Sequence, residues 1–128
     1  MLMLWFCLMV GITGSAFGAE EPDVVVVGSK NFAESYLLAE IAAQVLEAKG
    51  FDVVRQLGLG GTLICYEALK NGEIDLYPEY TGTAYTLYLD RSSEGILSGE
   101  DLYKRVRELD RKNQVAWLDR SRVNNTYA

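Results

Sequence analysis

Four consecutive valines, Val24 to Val27, closed by Gly28, constrain this chain more than any other feature. A run of β-branched residues has no polar face, so it suits a strand covered on both sides, as inside a parallel sheet. Asp23 to Gly28 is thus predicted as the first strand. Asn31, with Glu34 three residues on, predicts a capping box for the helix that follows. Leu37, Leu38, Ile41, Ala42, Val45 and Leu46 recur along one helical face, and Gly50 ends the helix. Phe51 to Leu57 reads as a second strand. Gly58-Leu59-Gly60-Gly61-Thr62 is a glycine-rich turn, with Thr62 as N-cap of a helix that runs to Lys70. Ile74 to Tyr77 is a short third strand, and the tyrosine-rich stretch to Leu89 is helical after Pro78. Asp90 to Gly95 is a polar loop. Ser98 and Asp101 cap a helix whose Leu102, Val106 and Leu109 face the core, and Val115 to Leu118 is a fourth strand. Strands alternating with helices predict an α/β fold, a mainly parallel sheet flanked by helices. Such sheets bind ligands at the carboxyl ends of their strands, here the loops Ser29 to Phe32, Gly58 to Thr62 and Tyr77 to Thr83.

The chain has 128 residues, enough for one small domain, and its 49% hydrophobic content fits a packed core. A net charge of -6 argues against nucleic-acid binding, which needs a basic face. With no histidine there is no histidine relay and no histidine-ligated metal, and neither a metal nor a cofactor is expected. Residues 1–18 carry no charge; Leu2 to Val10 is apolar, and Ala16 and Gly18 supply small residues before Ala19. This is the layout of a cleaved signal peptide, so the mature chain is expected in a periplasm or on the outer face of the cytoplasmic membrane. Cys7 falls in that leader, which leaves Cys65 as one thiol, expected buried and inert. Glu73 and Asp75 read as a solvated loop edge rather than a catalytic pair. No Gly-x-Ser-x-Gly elbow occurs, so the expectation is a binding protein and not an enzyme.

Lys30, Asn31 and the start of the first helix bring a cation, an amide and free N–H groups together, which favours a carboxylate; the bland alternative is a solvated lysine beside an ordinary cap. The glycines of the second loop permit close backbone approach or simply a tight turn. Tyr77, Tyr80, Tyr85 and Tyr88 lie close in sequence. Most such tyrosines pack a core, but one at a strand end can offer its ring to a cleft. A methylated ammonium has no N–H to donate; aromatic faces hold it instead, at about 0.5–2 kcal/mol per contact.

Val27 to Glu34, Gly58 to Thr62, Gly72 to Thr83 and Asn124 to Ala128, in that order, resemble the osmoprotectant-binding proteins of ABC importers, the glycine betaine, carnitine and choline group of the type II periplasmic-binding fold. The resemblance covers Asp23 to Ala128. It implies two α/β lobes closing across a hinge, with residues 19–128 forming the N-terminal part of the substrate-binding domain, its first lobe as far as the hinge crossing. It further implies a quaternary-ammonium solute held by tyrosines, permease and ATPase partners, and a monomer when complete. Carried over by motif, Tyr80 and Tyr127 match box tyrosines, Lys30 and Thr83 match polar groups near the ligand carboxylate, and Asn125 matches a polar contact. Asn31, Thr62 and Glu79 are weaker candidates. Ala33 and Ser35 stand where the family commonly has Thr and Gln. Two other readings stay open: a lobe for another small carboxylate or an amino acid, and a truncated remnant without function.

Overall fold

The computed structural model describes residues 23–89 and 98–121. The leader, the polar loop from Asp90, and the tail with Asn125 and Tyr127 lie outside the described residues. β1 (Val24–Lys30) is followed by α1 (Ala33–Glu47), β2 (Asp52–Gly60), α2 (Thr62–Lys70), α3 (Thr81–Leu87), α4 (Gly99–Asp110) and a 3-10 turn at Arg111–Asn113. The valine strand pairs in parallel with β2, from Val24 opposite Asp52 to Lys30 opposite Gly60. On its other side it meets Leu76 in a single parallel bridge to Val27. Gly28 N–H donates to the Leu76 carbonyl, and Asp75 N–H to that of Val26, each at 2.8 Å. β1 is therefore central, as its composition predicts.

The predicted third strand, Ile74 to Tyr77, shrinks to this bridge. Val26 N–H, which a longer ladder would pair with a backbone carbonyl, is taken by the Asp75 carboxylate at 2.7 Å. Ile74 also turns inward against Gly28, where a Cβ would sit 2.6 Å from its Cδ1. The predicted fourth strand, Val115 to Leu118, is absent: the segment is irregular. Side chains around α4 hold it instead, since Tyr103 Oη donates to the Leu118 carbonyl at 3.1 Å and the Trp117 indole N–H donates to Asp110.

The buried face of α1 also differs from the expected one. Ser35, Ala39 and Ala43 are buried, and the two alanines meet Val27 with Val25, Leu46, Val53 and Leu76 around them. Leu37, Ile41 and Val45 are 61%, 52% and 56% exposed. Apolar residues surround most of this helix, so periodicity alone cannot choose a face; the small residues win because they let the helix approach the branched valines closely. Gly50, at φ 95°, supplies the left-handed turn after the helix.

Two of the three predicted caps are replaced. Phe32 is the N-cap residue of α1 and makes no side-chain cap bond. Asn31 N–H donates to the Gly60 carbonyl at 3.1 Å, and Ser35 Oγ accepts from Lys30 N–H at 2.9 Å. Gly61 is the N-cap of α2, with Thr62 its first residue. At α4 the prediction holds: Ser98 Oγ accepts from Asp101 N–H at 3.1 Å and donates to its carboxylate at 2.7 Å.

A second core joins α3 and α4 through Ala84, Tyr85 and Val106, flanked by Tyr88, Leu89, Leu102, Leu109 and Trp117. Beside it lies Asp110, 0% exposed. It accepts from Tyr66 Oη at 2.7 Å, the Trp117 indole at 2.7 Å and the Asn113 amide at 3.1 Å, with Tyr88 Oη at 3.5 Å. The rings of Tyr66 and Tyr88 stack at 3.7 Å. Burial, then the Asp110 charge and hydrogen bond, push the Tyr66 phenol well up. Asp110→Asn should destabilise the chain by about 2–3 kcal/mol, because an amide cannot accept from this many donors; urea unfolding followed by Trp117 fluorescence would measure it.

On the surface Arg55 bridges α1 to β2, bonding Glu40 at 2.8 Å and Glu47 at 2.6 Å. The Arg55 hydrogen bond, helped by Gln44, holds the Glu40 pKa at about 2 instead of 4.5. Between those values the unfolded chain binds more protons than the folded one, so the stabilisation is complete above pH 4.5 and fades as pH falls towards 2. Arg55→Ala should return the Glu40 carboxyl to the ordinary range in a carbon-13 NMR titration.

Candidate functional site

Leu76 and β2 flank β1 on opposite sides, so the chain's path reverses around β1, the arrangement in which α/β sheets hold ligands at the carboxyl ends of their strands. Lys30 ends β1 there, Thr62 begins α2, and residues 77–80 follow the Leu76 bridge. These three segments converge on one ammonium group. Lys30 Nζ lies 2.5 Å from Glu79 Oε1, and both side chains are about 5% exposed. It also donates to Thr62 Oγ1 at 3.4 Å. The Tyr80 ring centroid is 4.7 Å from Nζ and that of Phe32 is 5.5 Å. The two rings stack at 6.3 Å with 27° between their planes.

The cluster is fixed from behind. Glu79 Oε1 accepts a second bond from Tyr80 N–H at 2.8 Å, so one carboxylate oxygen holds both the lysine and the backbone beneath the aromatic ring. Ser29 Oγ accepts from Gly58 N–H at 2.8 Å, tying the glycine loop to β1. Tyr77 lies next, its phenol pushed strongly up by burial and then by the Glu79 charge. Cys65 is fully buried, as expected; burial and then Glu79 raise its thiol, while Lys30 lowers it.

The structure thus brings Lys30, Thr62, Glu79 and Tyr80 together. Asn31 is exposed at the rim, its N–H spent on Gly60. Thr83 is half-buried in the first turn of α3, a short way beyond Tyr80. Phe32 belongs to the cluster but was not singled out in the sequence; an aromatic residue directly after Lys30-Asn31 at a strand end is the signal that could have found it. Among the described residues no group of three or more Cys, Asp or Glu could hold a metal ion.

Residues 23–128 match the family model of the substrate-binding domain of ABC-type glycine betaine transport systems. The chain belongs to this family. Among similar proteins of this kind, the glycine betaine-binding protein YehZ of Escherichia coli is 34% identical over 99% of the chain, and a glycine-betaine-binding protein of Pseudomonas aeruginosa 36% over 88%. The ergothioneine transport permease and binding protein EgtU of Helicobacter pylori is 34% identical over 86%. The chain spans 42%, 35% and 20% of these three relatives' lengths. The solved structure of apo YehZ superposes with a TM-score of 0.73 at 38% identity, covering 80% of this chain and 37% of that one. The α/β fold with its parallel strands is therefore that of a family glycine betaine-binding domain.

Within this family member the ion pair is a structural liability if halved. Removing one partner strands a buried charge, at a cost of about 3–5 kcal/mol, whereas removing both costs far less. Lys30→Met and Glu79→Gln should each lower the urea midpoint markedly, and the double variant should recover most of the loss.

Proposed function

We propose that the protein carrying this chain is the substrate-binding component of an ABC importer for quaternary-ammonium osmoprotectants such as glycine betaine, choline or carnitine, and that residues 19–128 form the N-terminal part of its substrate-binding domain. It works outside the cytoplasmic membrane, exported by the leader at 1–18, and delivers its solute to a permease driven by an ATPase. It performs no chemistry on the solute. The observation that carries this reading is the Tyr80 ring, beyond the Leu76 bridge, with a cation already against it, at 4.7 Å from Lys30 Nζ. A ring so placed can receive a trimethylammonium group, which has charge but no proton to donate. Tyr127 adds a second ring, Thr83 and Asn125 add polar contacts, and Lys30 faces the carboxylate end of a betaine. Thr62 and Glu79 act from behind by holding Lys30, and Asn31 borders the loop.

Family membership and the likeness to YehZ and to the glycine-betaine-binding protein of Pseudomonas aeruginosa both support the solute class. EgtU is named for ergothioneine transport and binding, and calorimetry decides between solutes. Calorimetry on the product of the complete reading frame that encodes this chain should show binding of glycine betaine or choline and none of glycine. Equal binding of glycine would favour an amino-acid site, and no binding of any of the three would overturn the reading. Tyr80→Ala should weaken the trimethylammonium ligand by about 1–2 kcal/mol, roughly 5- to 30-fold, with unchanged circular dichroism.

A further inference from the structure

We propose that Glu79 sets the charge preference of the site: by neutralising Lys30, it lets a cation occupy the neighbourhood of Tyr80. This rests on the functional reading above. Lys30 is not a free surface charge; its side chain is 5% exposed and its ammonium lies against the Tyr80 ring. A ligand cation held by Tyr80 must come within about 6 Å of the ring centroid. Since Nζ is 4.7 Å from the same centroid, the two cations can be no farther apart than about 11 Å. That is about one Debye length at an ionic strength of about 0.1 M, and salt screens a partly buried pair less than an exposed one. An uncompensated Lys30 would therefore repel the solute that the ring attracts.

Glu79 removes the conflict. Its Oε1 is 2.5 Å from Nζ, and its side chain is 4% exposed. The same oxygen accepts Tyr80 N–H at 2.8 Å, so the carboxylate cannot swing away without releasing the backbone of the ring residue. The ring then looks onto a neutral, hydrogen-bonded pair instead of a net positive wall. Lys30 still presents a donor edge to a ligand carboxylate, and Thr62 Oγ1 holds it from a third side at 3.4 Å. A zwitterion with a trimethylammonium group fits this wall, and so does a simple quaternary cation. Without Glu79 the wall would select anions.

The test compares choline, a cation, with glycine betaine, a zwitterion, by calorimetry on the reading-frame product. Glu79→Gln should weaken choline about tenfold and glycine betaine clearly less, because the freed Lys30 charge also attracts the carboxylate. Lys30→Met should do the reverse, weakening glycine betaine while leaving choline unchanged or tighter. The double variant, neutral again and less prone to misfold, should bind choline within about threefold of the unaltered protein, since its net wall charge is restored. A purely structural role for Glu79 would lower both ligands by the same factor. That result, or a double variant still tenfold weaker for choline, would overturn the proposal and leave the functional reading intact. Failure of the unaltered protein to bind either ligand would overturn both.

Discussion

The buried ion pair between Lys30 and Glu79 is the interaction on which the site's geometry depends. The end of β1 is paired with Gly60 just before α2, and beyond that ladder the start of α2 and the approach to α3 meet Lys30 through side chains. Their common partner is one ammonium group with a carboxylate at 2.5 Å, a hydroxyl at 3.4 Å and two aromatic faces. Taking both charges out of water is costly, and attraction between them offsets the cost only when further hydrogen bonds complete the pair. Thr62 and the Tyr80 N–H supply two such bonds, while Glu79 Oε2 is buried without a hydrogen-bond partner among the described residues. The pair is better understood as fixing the loops relative to one another than as a net source of stability.

Asp110 plays the matching role in the second core. It is a fully buried carboxylate surrounded by donors from α2, from the end of α3 and from the segment after α4. Tyr88 stacks on Tyr66 there, its phenol pushed strongly up by burial and then the Asp110 charge, and burial followed by the Glu79 charge does the same to Tyr77. Tyr88 thus serves this buried polar seam, and Tyr85 packs in the apolar core with Ala84 and Val106. Tyr80, half-buried, is the one set against the Lys30 ammonium and the Phe32 ring.

What the sequence disclosed follows from how local each signal was. The valine run could be recognised as a central strand because its composition excludes a polar face, and the α4 cap because Ser98 and Asp101 satisfy each other without help. The lost strands failed for non-local reasons. Asp75 uses its side chain where a ladder would use a carbonyl, and Trp117 points its indole at Asp110 instead of lining a sheet. The cap at Asn31 failed because Gly60, nearly thirty residues on, claims its N–H. Lys30 and Tyr80 were legible as site candidates, but their mutual contact was not, since nothing in a linear motif says that Glu79 returns to the end of β1.

That last point changes what the site's lysine means. Considered alone, a lysine at a strand end is an anion-binding group, and next to an aromatic ring it is a competitor for any cationic ligand. Paired with a carboxylate it becomes a neutral dipole with one donor edge, compatible with an ammonium on the adjacent ring and a carboxylate beyond it. A betaine carries those two groups a short distance apart and is itself neutral. A neutral wall with separated donor and π surfaces matches that charge distribution, whereas a bare lysine would match only half of it. On the proposed reading, the chemistry of recognition lies less in any one side chain than in the 2.5 Å contact that cancels the net charge and keeps the polarity.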